Sequence, residues 1–171
     1  MLPPVIHIKQ NQLPLEYSLF IHLDLKLYQD VKNWERFWRA YTLVKFEDFL
    51  VAKKIKMRLP VKFRPLKQAM KTDNFLFNDD DTLALLIIDA WQVRNDQWAK
   101  NDMHLTILSE VFWETNFNQI HIESATGFLQ MMQSFQAKRL TNIGFDVCFH
   151  RDLWNALNFD NKSHFADKMM R

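Results

Sequence analysis

The sequence predicts an α+β fold: a single domain over residues 1–171, with a mixed sheet packed against several helices. Two stretches alternate apolar and polar residues strictly, around 19–28 and 54–64, and a stretch of period three to four lies between them. Strand side chains point to opposite faces in turn, whereas helical side chains return to one face every three or four residues. A length of 171 residues suits one compact domain, and 48% hydrophobic residues can fill a large core.

Residues 4–9 predict a short strand, and the polar stretch to Glu16, with Pro14, predicts a turn. Leu19, Ile21, Leu23, Leu25 and Leu27 then share one parity, and Phe20, His22, Asp24, Lys26 and Tyr28 the other, which predicts a strand. Asp30 can cap a helix over 31–50, whose Trp34, Phe37, Trp38, Tyr41, Val44 and Phe49 recur at helical spacing. From Lys54 to Arg64, Ile55, Met57, Leu59, Val61 and Phe63 alternate with Lys54, Lys56, Arg58, Lys62 and Arg64, with Pro60 the one interruption. This segment is expected to be a strand with one apolar and one cationic face. Residues 17–64 would then form a β-α-β unit, parallel through a right-handed crossover, as in the opening of a ferredoxin-like fold.

Pro65 should end the basic strand, with a helical turn over 66–71 and an extended piece at 74–77. The apolar run 83–91 follows an acidic cluster and continues through Trp98, so it is expected to be helical. Asp102 would cap a helix carrying Ile107, Leu108, Val111 and Phe112. Gln119–Glu123 alternates like a strand, and Ser124 would cap a helix with Phe128, Met131, Met132 and Phe135. Residues 145–150 predict a strand and 152–157 a closing helix; the tail from about 160 is polar and expected to fray.

Composition excludes several functions. The two glycines, Gly127 and Gly144, leave no glycine-rich phosphate loop or dinucleotide fingerprint. Turns should therefore rest on Asn and Asp, which tolerate left-handed backbone. No apolar run reaches the roughly 18 residues of a membrane span, and the opening residues carry no secretory signal pattern. The single cysteine, Cys148, cannot form an internal disulfide. A cytoplasmic protein that engages no membrane is the expectation.

Charge is segregated. The net charge is +2, yet residues 49–72 hold eight Lys or Arg and no acid, leaving 14 basic against 20 acidic residues elsewhere. Lys54, Lys56, Arg58, Lys62, Arg64, Lys67 and Lys71 are the candidate binding residues. Such a stripe steers anions to one face, and a nucleic-acid backbone would gain most of its affinity there. The competing explanation is protective: Lys and Pro guard sheet edges against aggregation, and Pro60 fits an edge because it cannot donate to a ladder. Phe20, His22 and Tyr28 could supply stacking platforms if their face is open. The aromatic and glycine pattern of an RRM is absent.

Other chemistry is thinly supported. His150 and Asp152, with Asp146 and Asp89, could hold a divalent ion for hydrolysis, and His121 with Glu123 forms a similar pair. None of these spacings specifies zinc. Cys148, in an apolar alternation, would be buried and inert. Trp113, Phe117 and Trp154 could form a protein interface if exposed. The expected function is thus a small non-enzymatic binding protein for an anionic partner, nucleic acid first, with no cofactor and no metal. The alternatives are a protein–protein interaction module, such as a toxin immunity protein or a subunit of a larger assembly, and a metal-dependent hydrolase.

Overall fold

The computed structural model describes residues 5–9, 31–72, 75–77, 80–111, 119–149 and 151–157. In chain order the elements are β1 (Val5–Lys9), α1 (Val31–Ala52), α2 (Arg64–Ala69), α3 (Asp81–Lys100), β2 (Leu105–Val111), α4 (Gln119–Ala137), β3 (Ile143–Phe149) and α5 (Arg151–Ala156). Short 3-10 turns occupy Val61–Phe63 and Phe75–Phe77.

The fold mixes helices with a three-stranded sheet in the order β1-β2-β3, and both strand pairs are parallel. The expected mixed sheet is therefore corrected: among the described residues no antiparallel pair occurs, and these strands do not form a ferredoxin-like arrangement. β2, α4 and β3 make one crossover unit, and α1, α2 and α3 lie between β1 and β2. Register sets Ile6, Ile107 and Phe145 side by side, with Leu105 opposite Ile143. On the other parity Gly144 and Asp146 are exposed, and Thr106 and Leu108 are half-buried.

α4 lies between the sheet and α1. Residues 124–129 are buried without interruption, the pattern of a helix enclosed on every side. Phe128 and Phe135 meet Phe145 edge-on, at centroid distances of 6.1 and 5.2 Å. On its far side α4 meets α1 so closely that a Cβ built on Gly127 would stand 2.5 Å from the Trp34 Cβ. The Trp38 indole donates to the Ser124 carbonyl at 2.9 Å, so its buried N–H is satisfied across the same contact.

α1 buries Trp34, Phe37 and Trp38, as the spacing predicts, but its stripe continues through Leu43, Phe46 and Leu50, and the expected Tyr41, Val44 and Phe49 are half-buried beside it. α3 packs against it with Phe46 stacked on Trp91 at 5.6 Å, and the Trp91 indole donates to the Arg39 carbonyl at 3.1 Å. The helix expected at 83–91 is thus present and longer. It starts at Asp80, whose carboxylate accepts from the Thr82 and Leu83 amides. Arg36 of α1 pairs with Asp81 at 2.5 Å, and its guanidinium holds the Asp81 carboxyl below the usual range.

Three expectations fail for local reasons. Asp102 does not begin a helix; it ends α3, with a left-handed φ of 53°. Its amide bonds back to Ala99, and Met103 bonds back to Trp98. This is a Schellman cap, and Leu105–Val111 beyond it is strand β2, not helix. Gln119–Glu123 is the opening of α4 and not a strand, and Ser124 is buried inside that helix. Five alternating residues are too few to separate the two periods. The strand expected over 17–28 and the tail from 160 lie outside the described residues.

The same cap closes the other two long helices. Ile55 bonds to Leu50 behind Lys54 (φ 56°), and Leu140 bonds to Phe135 behind Arg139 (φ 57°). Glycine normally fills this position, because a Cβ in left-handed backbone costs about 1–2 kcal/mol. With glycine so scarce, lysine, aspartate and arginine fill it here. Arg139→Gly removes the strain but loosens the unfolded chain. A net gain of roughly 0.5–1 kcal/mol is expected, read as a rise in melting temperature of about 2–3 °C.

Candidate anion-binding segment

All seven candidate cations, Lys54, Lys56, Arg58, Lys62, Arg64, Lys67 and Lys71, are exposed. They do not lie on a β-strand. Lys54 is the left-handed cap of α1, and residues 55–60 belong to no helix and to no strand of the sheet. The alternation is nonetheless real here: Ile55 and Met57 are half-buried and Leu59 is buried, while Lys56, Arg58 and Pro60 are exposed.

Side chains of α3 replace a neighbouring strand. Arg94 donates to the Met57 carbonyl at 2.8 Å, and Gln97 donates to the Arg58 carbonyl at 2.9 Å. Arg94 is 2% exposed. It also grips both carboxylate oxygens of Glu47 on α1, at 2.7 and 2.6 Å. A bidentate charged pair fixes the guanidinium plane, which in turn fixes where the 55–60 segment can lie.

The period breaks at Pro60. Its carbonyl accepts from the Phe63 amide and starts the 3-10 turn. Strict alternation would bury Val61, but the turn leaves it 76% exposed and sends Phe63 into the core. Pro65 then sits in the first turn of α2, where a missing N–H costs nothing. It opens a helix instead of ending a strand. Pro60 is likewise no mark of a sheet edge.

Electrostatically the segment is almost uncompensated. Of the seven cations, only Lys62 has an acid within 4 Å among the described residues, Asp89 at 4.0 Å, and both side chains are largely exposed. Asp89 is therefore no buried carboxylate. Asp146 and Asp152 are also exposed, and His150 lies outside the described residues. Among the described residues no three His, Cys, Asp or Glu side chains cluster to hold a metal. His121 and Glu123 belong to α4, not to a strand. Cys148 is exposed on β3, contrary to the expected burial. Trp154 is half-buried against Phe149, whereas Trp113, Phe117, Phe20, His22 and Tyr28 lie outside the described residues.

Reasoning from the sequence missed Arg94, Gln97 and Glu47, which hold the segment. The signal was available: Arg94 interrupts an apolar face formed by Leu83, Ile87, Ala90, Trp91 and Trp98, and a charge on such a face requires a partner. It also missed Leu85, which is 63% exposed one turn before Asp89.

Among the described residues no helix is long and apolar enough to cross a membrane. Comparison with protein families, with curated proteins and with solved structures finds no match to this chain.

Proposed function

We propose that the protein is a small cytoplasmic binding protein whose Lys54–Lys71 segment takes an anionic partner, nucleic acid before an acidic protein. The observation that carries this reading is the display of seven exposed cations, with one weak acidic neighbour, on a segment tied down by a buried ion pair. The protective explanation loses its footing, because a segment outside the sheet has no sheet edge to guard. An ordered cationic segment also loses less entropy on binding than a floppy one.

Val61 and Leu85 favour the second reading, an acidic protein surface with apolar anchors. The Lys62 ammonium of the 3-10 turn lies 4.0 Å from Asp89, which follows Leu85 by one turn of α3. Both readings are separated by one measurement. Fluorescence anisotropy with labelled oligonucleotides, repeated across a salt series, should show binding whose logarithm falls steeply with the logarithm of salt. Replacing all seven cations with Gln should abolish it without unfolding the chain. A protein that binds no oligonucleotide at low salt refutes the nucleic-acid reading.

A further inference from the structure

We infer that the outer edge of β3, with the groove beside it, binds an extended acidic peptide of a partner protein, which adds a strand to the sheet and buries one apolar side chain. This site uses none of the cations of the Lys54–Lys71 segment.

β3 ends the order β1-β2-β3, so one of its sides pairs with no strand among the described residues. The register says which groups lie there. Leu105 of β2 stands opposite Ile143 and donates to the Asn142 carbonyl. In a parallel ladder this turns the even-numbered residues of β3 towards β2, and the amides and carbonyls of Phe145 and Val147 towards the free edge. None of these groups has a partner among the described residues. Donors and acceptors in alternation match another peptide strand, not an anion that only accepts. Exposed edges are ordinarily guarded by Lys or Pro. Ile143–Phe149 has neither, and Asp146 is its one charge.

The groove, of about 420 Å³, lies between β3 and the end of α4. Its apolar wall is Met132, Phe135, Leu140, Ile143 and Phe145, and Arg139 also lines it. The Phe145 side chain turns to the α4 face, against Phe128 and Phe135. Paired strands share their pleat, so the residue of an added strand beside Phe145 points to that same face and into the groove. A cavity of this size accepts a large apolar side chain. Charge selects the rest of the peptide. Lys138 and Arg139 are exposed just before β3, and neither pairs with an acid among the described residues. An acidic strand meets them favourably. The same charges oppose a second copy. Arg151 lies exposed just beyond β3, so antiparallel pairing of two such edges brings Arg151 of one copy towards Lys138 and Arg139 of the other.

The test titrates the intact protein with a labelled peptide of alternating Glu and Val carrying one central Phe, and with its Lys counterpart. Two further forms of the Glu peptide are N-methylated, each on one of the two sets of alternate amides. The Glu peptide should bind more tightly than the Lys peptide, and Arg139→Glu should narrow or reverse that preference. Of the two methylated forms, the one that loses its ladder donors should bind about tenfold or more weakly than the other. Hydrogen exchange followed by NMR should show the Phe145 and Val147 amides open in the free protein and protected once the Glu peptide is added. No binding of the Glu peptide, or equal binding of the two methylated forms, overturns the inference. Amides already protected in the free protein overturn it as well: a protein that sediments as a dimer then assigns the edge to a second copy, and a monomer assigns it to the chain's own residues.

Discussion

Gly127→Ala is expected to destabilise the protein severely, although alanine is the better helix former. In a helix interior alanine gains up to about 1 kcal/mol over glycine. Here the new methyl would stand 2.5 Å from the Trp34 Cβ, 2.8 Å from the Glu35 amide nitrogen and 2.9 Å from the Trp34 carbonyl carbon. Two of these three atoms are backbone, so no rotamer change relieves the contact. The helices must move apart, and the Trp38–Ser124 hydrogen bond and the Trp38–Phe128 edge contact lie in the same interface. Overpacking of a close-packed core costs about 1–3 kcal/mol and sometimes more. The backbone clash places this site at the upper end, so a net loss of about 2 kcal/mol or more is expected. Gly144→Ala is the matched control. Its Cβ would meet only the Leu105 carbonyl, at an ordinary 3.8 Å, and stability should change little. Urea unfolding of both variants checks the pair; equal destabilisation would mean that the α1–α4 contact is looser than the geometry says.

Long periodic segments were legible in the sequence, and short ones were not. α1 and α3 each bury a stripe over about twenty residues, which no other structure satisfies. The helix caps were legible only in part: Asp102 takes the left-handed conformation that scarce glycine leaves to Asn and Asp, but Lys54 and Arg139 take it too, and no local signal marks them. Asp102 then looked like the start of a helix and hid strand β2. The basic segment shows a subtler failure. Period two over residues 55–60 correctly gave which side chains go in and which go out. It could not give what satisfies the backbone. The same alternation is compatible with a strand neighbour or with Arg94 and Gln97, and those side chains come from a helix more than thirty residues away. The cations were therefore placed on the correct side of the wrong structure, and with the sheet gone the reason to treat Pro60 as edge protection went too.

The buried pair between Arg94 and Glu47 should show an asymmetric mutational response. Removing one member of a buried ion pair strands the other, at a cost of about 3–5 kcal/mol. The Arg94 side chain is 3% exposed and that of Glu47 is 21% exposed. Glu47→Ala leaves a guanidinium that water cannot reach, and it should approach the upper figure. Arg94→Met leaves a carboxylate that can recover part of its hydration, so about 3 kcal/mol, the lower figure, is expected. It also removes the donor to the Met57 carbonyl, so the cationic segment loses one of the two α3 side chains that position it. The double variant Arg94→Met with Glu47→Leu carries no stranded charge and should recover most of the loss, because apolar replacements of buried pairs are often neutral or better. Stability and anion binding then separate. If the pair exists to hold the cationic segment, the double variant should be as stable as the parent and still bind oligonucleotides less tightly, through a segment with more freedom to lose. Unfolding curves and anisotropy titrations on the same three variants decide it, and parental affinity in the stable double variant would reduce Arg94 to a purely structural role.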